Sequence, residues 1–382
     1  MTDRRPIPRF PVTVVGSWPR PQWLLDATRR RAPDLEQLRD RAVRRALELQ
    51  QQAGVDVVSD GEQRRDNFYS FLCEKLDGMR LMTMADLLDH VEDKAAFENL
   101  LQALDVPAFA IKNPTVVGPL RRREPLAVRE AAFVREHCDL PVKVTLPGPY
   151  LLSRSIWVKG LSSAAYPTRE ALCADVVRIL REELQELAAL GVEMVQFDEP
   201  VLTEVVFAGK SATRTFMCAA LAQKASPEEE LRLAVDLIGR VTDGITGPIT
   251  AVHVCRGNWS QNEEVLLTGD YAPLLPHLAQ MPVDQLVLEY ATPRAGPEAL
   301  LAQLPQRQSV GFGAVNPRTE PTEDPAAVAD RVRGLADLLG PDRVFLNPDC
   351  GFGTFADRPV ASEDVAVRKM EILAAAARRL RG

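Results

Sequence analysis

Short apolar runs, most of them rich in β-branched residues, recur along the chain at Val12–Val15, Val55–Val58, Val142–Leu146, Val192–Phe197, Ile249–Val254, Gln285–Leu288, Val310–Ala314 and Val344–Leu346. Between most of them the apolar positions recur every three or four residues instead, as over Leu35–Ala53, Arg169–Leu190, Glu228–Val241, Ala326–Leu339 and Ala361–Leu380. That spacing lays one face of a helix against a core. Ser226-Pro-Glu-Glu229 marks one helix start: the serine caps, proline takes the first position and Glu229 completes the reciprocal cap. Strands that are apolar on both faces belong to a parallel sheet covered by helices. Eight such runs alternating with helices predict closure into a (β/α)8 TIM barrel rather than an open doubly wound sheet.

Two segments exceed the bare repeat. The stretch from Gln63 to Leu140 is too long for one helix, and Val106–Ile111 followed by Thr115–Gly118 reads as a hairpin inserted between the second and third barrel strands, a candidate lid. Arg256 to Pro282 reads as a long loop with one short helix, and its Gly257-Asn-Trp259 is expected to sit beside the metal site proposed below. No short-period repeat, low-complexity tract or shift in composition marks a second domain, so residues 1–382 are expected to form a single barrel domain.

With 46% hydrophobic residues the chain can bury one large core. A net charge of -7 argues against nucleic acid as a partner, and the clusters Arg29–Arg31 and Arg121–Arg123 are interleaved with acids. Neither a leader-like start nor a membrane-length apolar run is visible, and the six cysteines are scattered rather than paired at close spacing. A cytoplasmic protein with reduced thiols is expected.

In a barrel of this kind chemistry collects where the strands end, and polar groups gather there. The runs are followed in turn by Gly16-Ser17, Asp60-Gly-Glu62, Pro147-Gly-Pro149, Asp198-Glu-Pro200, His253 with Cys255, Glu289, Asn316-Pro-Arg318 and Asp349-Cys350. Residues two apart in a strand project from one face about 7 Å apart, so His253 and Cys255 point into one cavity. Glu289 and Cys350, ending the sixth and eighth runs, can reach the same point. A set of one His, two Cys and one Glu is ligand chemistry for zinc and ill suited to calcium or magnesium. The set lacks the Cys-x-x-Cys pairs of a structural zinc site. Two thiolates and a carboxylate neutralise the ion, which disfavours water activation and favours a site that deprotonates an incoming thiol. Glu62 and Asp198 could hold a substrate ammonium and the Gly16-Ser17 turn a substrate carboxylate, which suggests an amino acid as substrate.

Val15-Gly-Ser17, Asp60-Gly-Glu62, Leu146-Pro-Gly-Pro149, Phe197-Asp-Glu-Pro200, His253-Val-Cys255, Glu289 and Asn347-Pro-Asp-Cys350 together resemble the catalytic C-terminal barrel of the cobalamin-independent methionine synthase family, over nearly the whole chain. The resemblance implies zinc ligation by His253, Cys255, Glu289 and Cys350, homocysteine contacts at Gly16, Ser17, Glu62 and Asp198, and methyl transfer to homocysteine giving methionine. The departures concern the methyl donor. Ser155 stands where the folate-dependent members stack a tryptophan on the pterin, with Trp157 close by, and Ala314-Val-Asn-Pro317 lacks their histidine. The donor is therefore 5-methyltetrahydrofolate or a methylated corrinoid, the latter with a corrinoid protein as partner. Two other readings are a zinc alkyltransferase acting on a small thiol such as coenzyme M, and a zinc-free lyase resembling uroporphyrinogen decarboxylase.

Overall fold

The computed structural model describes residues 4–90, 112–207 and 226–382. Among these residues β1 (Leu76–Thr83) and β2 (Lys112–Arg122) form an antiparallel pair. Six further strands form one parallel sheet in chain order: β3 (Lys143–Pro147), β4 (Met194–Asp198), β5 (Ile249–Val254), β6 (Gln285–Glu289), β7 (Ser309–Val315) and β8 (Val344–Pro348). All but the first residues of β5 and β7 are buried along these strands, as a sheet covered on both faces requires.

The first two apolar runs close the ring, although each contributes only isolated bridges. Thr13 N donates to Leu346 O at 2.9 Å, Val57 N to Val12 O at 3.1 Å and Lys143 N to Val58 O at 2.8 Å, all in parallel sense. These bonds join β8 to β3 through the two runs, which makes the sheet a (β/α)8 barrel. Helices cover its outside. Arg169–Leu190 is capped by Thr168, whose side chain accepts from Ala171 N, and ends at Gly191 in the left-handed region (φ 84°). Pro227–Thr242 carries the Ser226/Glu229 capping box read from sequence. Leu35–Gln52, Pro325–Leu339 and Glu363–Arg381 lie within two residues of their expected bounds. Inside the ring Val15, Ala251 and Val287 form a small apolar layer. No helix among the described residues is long and apolar enough to cross a membrane.

The inserted hairpin is differently paired from the sequence reading. Thr115–Gly118 does lie in a strand, β2, but its partner is Leu76–Thr83, with Thr115 opposite Arg80. Val106–Ile111 lies outside the described residues. The β1 segment Leu-Asp-Gly-Met-Arg-Leu-Met-Thr has no β-branched residue before Thr83, and the register shifts between Asp77 and Met79 where Gly78 adopts φ 84°. A strand built of unbranched residues around a bulge gives no period-two signal.

Candidate metal centre and substrate pocket

β5 presents His253 inward one residue before its end, and Cys255 follows just beyond it. Cys350 comes to the same point two residues after β8 ends. One ligand atom from each of His253, Cys255 and Cys350 lies within 4.8 Å of the other two. A tetrahedral ion bound at about 2.0–2.3 Å needs its ligands about 3.3–3.8 Å apart, so small side-chain adjustments suffice, and the soft S, S, N donor set fits zinc.

The electrostatics of the three groups are linked. The Cys350 thiol donates toward Cys255, which, against burial and with His253 beside it, pulls Cys255 down to about 5. The same contact, with burial, pushes Cys350 well above the usual thiol range. Burial opposes charge on His253, yet the Cys255 thiolate and Asp198 outweigh it and hold the ring up to about 10. The pocket thus favours the thiolate form of Cys255.

Asp198, paired in register with His253 at the end of β4, meets His253 Nδ1 through Oδ1 at 3.0 Å. A carboxylate on one imidazole nitrogen fixes the ring and directs the other nitrogen toward a metal. The same Oδ1 accepts from Gln196 Nε2 at 2.8 Å.

Glu289 is placed differently. Its carboxylate accepts from Arg256 N (3.1 Å) and Nη1 (3.2 Å), from Asn258 Nδ2 (2.9 Å) and from Arg294 Nη2 (3.3 Å). Arg294 and Arg256 hold its pKa below the ordinary range although burial works the other way. The three-residue cluster forms without it. Arg256 itself lies over the Tyr271 ring, 3.9 Å from its centroid.

Gly16, Ser17, Glu62 and Asp198 line one cavity with His253, Cys255 and Cys350, an open-mouthed space of about 580 Å³ whose walls also include Phe68, Pro200 and Trp259. Glu62 sits in the left-handed region (φ 55°), a conformation that costs a side-chain-bearing residue energy and is held here by its partners. Its N–H donates to Asp60 Oδ1 at 3.0 Å, and its carbonyl accepts from Arg20 Nη2 at 2.8 Å. Its Oε1 accepts from Thr145 Oγ1 at 2.8 Å. Burial raises the Glu62 pKa, Arg65 opposes this and Asp198 adds to it. A Cβ at Gly16 would lie 2.6 Å from Glu62 Oε1, so a side chain there would displace that carboxylate.

The matched family, described as the catalytic domain of cobalamin-independent synthase, spans residues 10–376. The chain belongs to that family. It is 27% identical over 350 residues to a methionine synthase of Sulfolobus acidocaldarius, covering 90% of this chain and 85% of that one. It is 25% identical over 353 residues to the methionine synthase of Saccharolobus solfataricus, covering 90% and 89%. Among solved structures, a B12-independent methionine synthase from a Shewanella species in complex with selenomethionine superposes with a TM-score of 0.73 at 26% identity, covering 98% of both chains.

Asn258 and Trp259, expected beside the proposed metal, line the cavity with His253 and Cys255. Several other groups in and around the pocket escaped the sequence reading. Arg256 and Arg294 join Asn258 around Glu289, and Thr145 holds Glu62. Lys143 and Gln196 lie inside the barrel. A signal existed for the last two, since a lysine and a glutamine interrupt otherwise apolar runs. Ser155 and Trp157 are not among the cavity residues; Trp157 Nε1 donates to Tyr166 O at 3.0 Å instead.

Proposed function

We propose that this chain is a zinc-dependent S-methyltransferase that moves a methyl group onto the thiol of homocysteine, giving methionine. The observation that carries the reading is the convergence of two thiols and an imidazole within 4.8 Å in a cavity whose walls bear two carboxylates. His253, Cys255 and Cys350 would hold zinc, with Glu289 the candidate fourth ligand, and the ion would supply deprotonation of the substrate thiol at neutral pH. Glu62 and Asp198 hold the substrate ammonium, and the Gly16-Ser17 turn takes its carboxylate. Phe68, Pro200 and Trp259 shield the reacting sulfur from water. The sulfur forms its bond to the methyl carbon as the donor's bond to that carbon breaks, and the donor keeps the electron pair.

The selenomethionine in the Shewanella relative supports an amino-acid ligand of this type. The family's cobalamin independence favours 5-methyltetrahydrofolate over a methylated corrinoid, with Phe68 and Trp259 as the flat faces available to it. Coenzyme M carries no ammonium and gives the two acids nothing to bind. The match over residues 10–376 supports reading the chain as one barrel domain, and a site built on thiols supports a reducing, cytoplasmic setting.

The test is to incubate the zinc-loaded protein with homocysteine and, separately, methyl-folate and methylcobalamin, and to look for methionine by mass spectrometry. Cys350→Ser abolishes both zinc retention and methionine formation; full turnover by a zinc-free variant refutes the reading.

A further inference from the structure

Beneath the metal cluster a line of buried polar side chains crosses the barrel interior. Lys143, at the start of β3, and Gln196, in β4, are 1% and 0% exposed. Lys143 Nζ donates to Gln196 Oε1 at 3.1 Å. Gln196 Nε2 donates to Asp198 Oδ1 at 2.8 Å and to Val15 O at 3.0 Å. Asp198 Oδ1 meets His253 Nδ1 at 3.0 Å. A lysine at this depth is costly, and among the described residues no carboxylate is hydrogen-bonded to its amine.

The polarity of the line follows from its partners. A lysine offers donors to the Gln196 oxygen, while a carboxylate and a carbonyl, both acceptors, face the Gln196 nitrogen. The amide therefore has one satisfied orientation. Reversed, its oxygen would confront Asp198 and Val15 O, and its NH2 would face the Lys143 amine. In the fixed orientation Asp198 Oδ1 receives an N–H from below, which keeps that oxygen against β5 as an acceptor for the His253 Nδ1 proton. The second Asp198 oxygen stays available to the cavity.

We propose that Lys143 and Gln196 are positioning residues for the metal centre: Lys143 sets the Gln196 amide, Gln196 anchors Asp198, and Asp198 holds the His253 ring through Nδ1, so that Nε2, 3.4 Å from Asp349 O, is the nitrogen turned to the ion. The inference rests on the zinc reading above. Neither side chain touches a ligand atom, so each acts only through the line.

The experiment uses the full-length protein, Lys143→Met and Gln196→Met, with Gln196→Glu as a third variant. Zinc affinity is measured by competition with a chromophoric chelator, and the His253 Nδ1–H signal of the zinc-loaded protein by proton–nitrogen correlation on protein labelled at its 4 histidines. Loss of a group that orients a metal-bound histidine costs about 10–100-fold in affinity. Gln196→Met is expected in that range, and Lys143→Met, one step further away, near its lower end. Gln196→Glu keeps the bond to Lys143 but sets a carboxylate against Asp198, so it weakens zinc although it packs alike. In each variant, loaded with zinc, the His253 Nδ1–H signal moves away from its wild-type position as the bond to Asp198 loosens, a change that a merely structural role would not produce. Lys143→Met removes a buried amine and is expected to fold. Wild-type zinc affinity and an unchanged His253 Nδ1–H signal in folded Lys143→Met and Gln196→Met would overturn the proposal, whereas an unmodified protein that binds no zinc would overturn the metal reading instead.

Discussion

Replacing Gly148 by alanine tests how the mouth of the barrel is held together. The helix Pro149–Ser155 has no side-chain cap of its own, and its first free N–H groups belong to Tyr150 and Leu151 because Pro149 has none. Glu199, at the end of the neighbouring strand, supplies the cap: Oε1 accepts from Tyr150 N and Oε2 from Leu151 N, both at 2.8 Å. Gly148 has an ordinary backbone conformation (φ -70°, ψ 151°), so alanine adds no torsional strain. Its Cβ would, however, lie 2.2 Å from both Cδ and Oε1 of Glu199. The carboxylate must leave, orphaning two buried donors at about 1–3 kcal/mol each. Gly148→Ala is thus expected to cost about 2–6 kcal/mol, read by chemical denaturation, out of a total stability of about 5–15 kcal/mol for an ordinary domain. Glu199→Ala orphans the same two donors and should cost about as much. The double variant then costs no more than Glu199→Ala alone, because the clash has no target. Gly148→Ala within about 1 kcal/mol of wild type, or a double variant costing the sum of the two singles, refutes the reasoning. The effect extends to the substrate pocket, since Gly148 N donates to Asp198 O and Glu199 N to His253 O, both at 2.9 Å.

Other perturbations separate the roles around the pocket. Glu289→Gln retains zinc more weakly, by about 10-fold, since three ligands converge without it; loss of zinc as complete as in Cys350→Ser would show that the carboxylate, not the trio, anchors the ion. Glu62→Gln keeps an acceptor for Thr145 but removes a charge facing the substrate ammonium. Calorimetry should show homocysteine bound about 10-fold or more weakly, with zinc content unchanged; equal affinity would remove Glu62 from the substrate site. Burial lowers Lys143 from 10.5 to about 7. Between those values the unfolded chain holds a proton that the folded one has released, so this residue makes stability rise as pH increases from about 7 to about 10.5. Lys143→Met should flatten that rise in denaturation midpoints, and an unaltered pH profile would refute the assignment.

The sequence by itself determined the barrel and which polar residues stand at its strand ends. Runs buried on both faces and helices with one apolar stripe leave few other ways to cover the sheet. His253 and Cys255 could be paired from sequence because a strand's period is fixed at two, and the Ser226 cap because its bonds close within four residues. The β1–β2 pairing stayed hidden, since Leu76–Thr83 combines a bulge with unbranched side chains and its partner lies some thirty residues away. Only the tertiary structure decided where Glu289 sits: its rotamer follows from Arg256, Arg294 and Asn258, brought together from separate loops, and the carboxylate goes where several donors already converge. The same holds for Gly148, whose need for no side chain comes from Glu199 on the adjacent strand, and for Lys143 and Gln196, whose polarity matters only once the ring closes over them. Local order follows from spacing along the chain; charge placement in the interior follows from which distant groups share a volume.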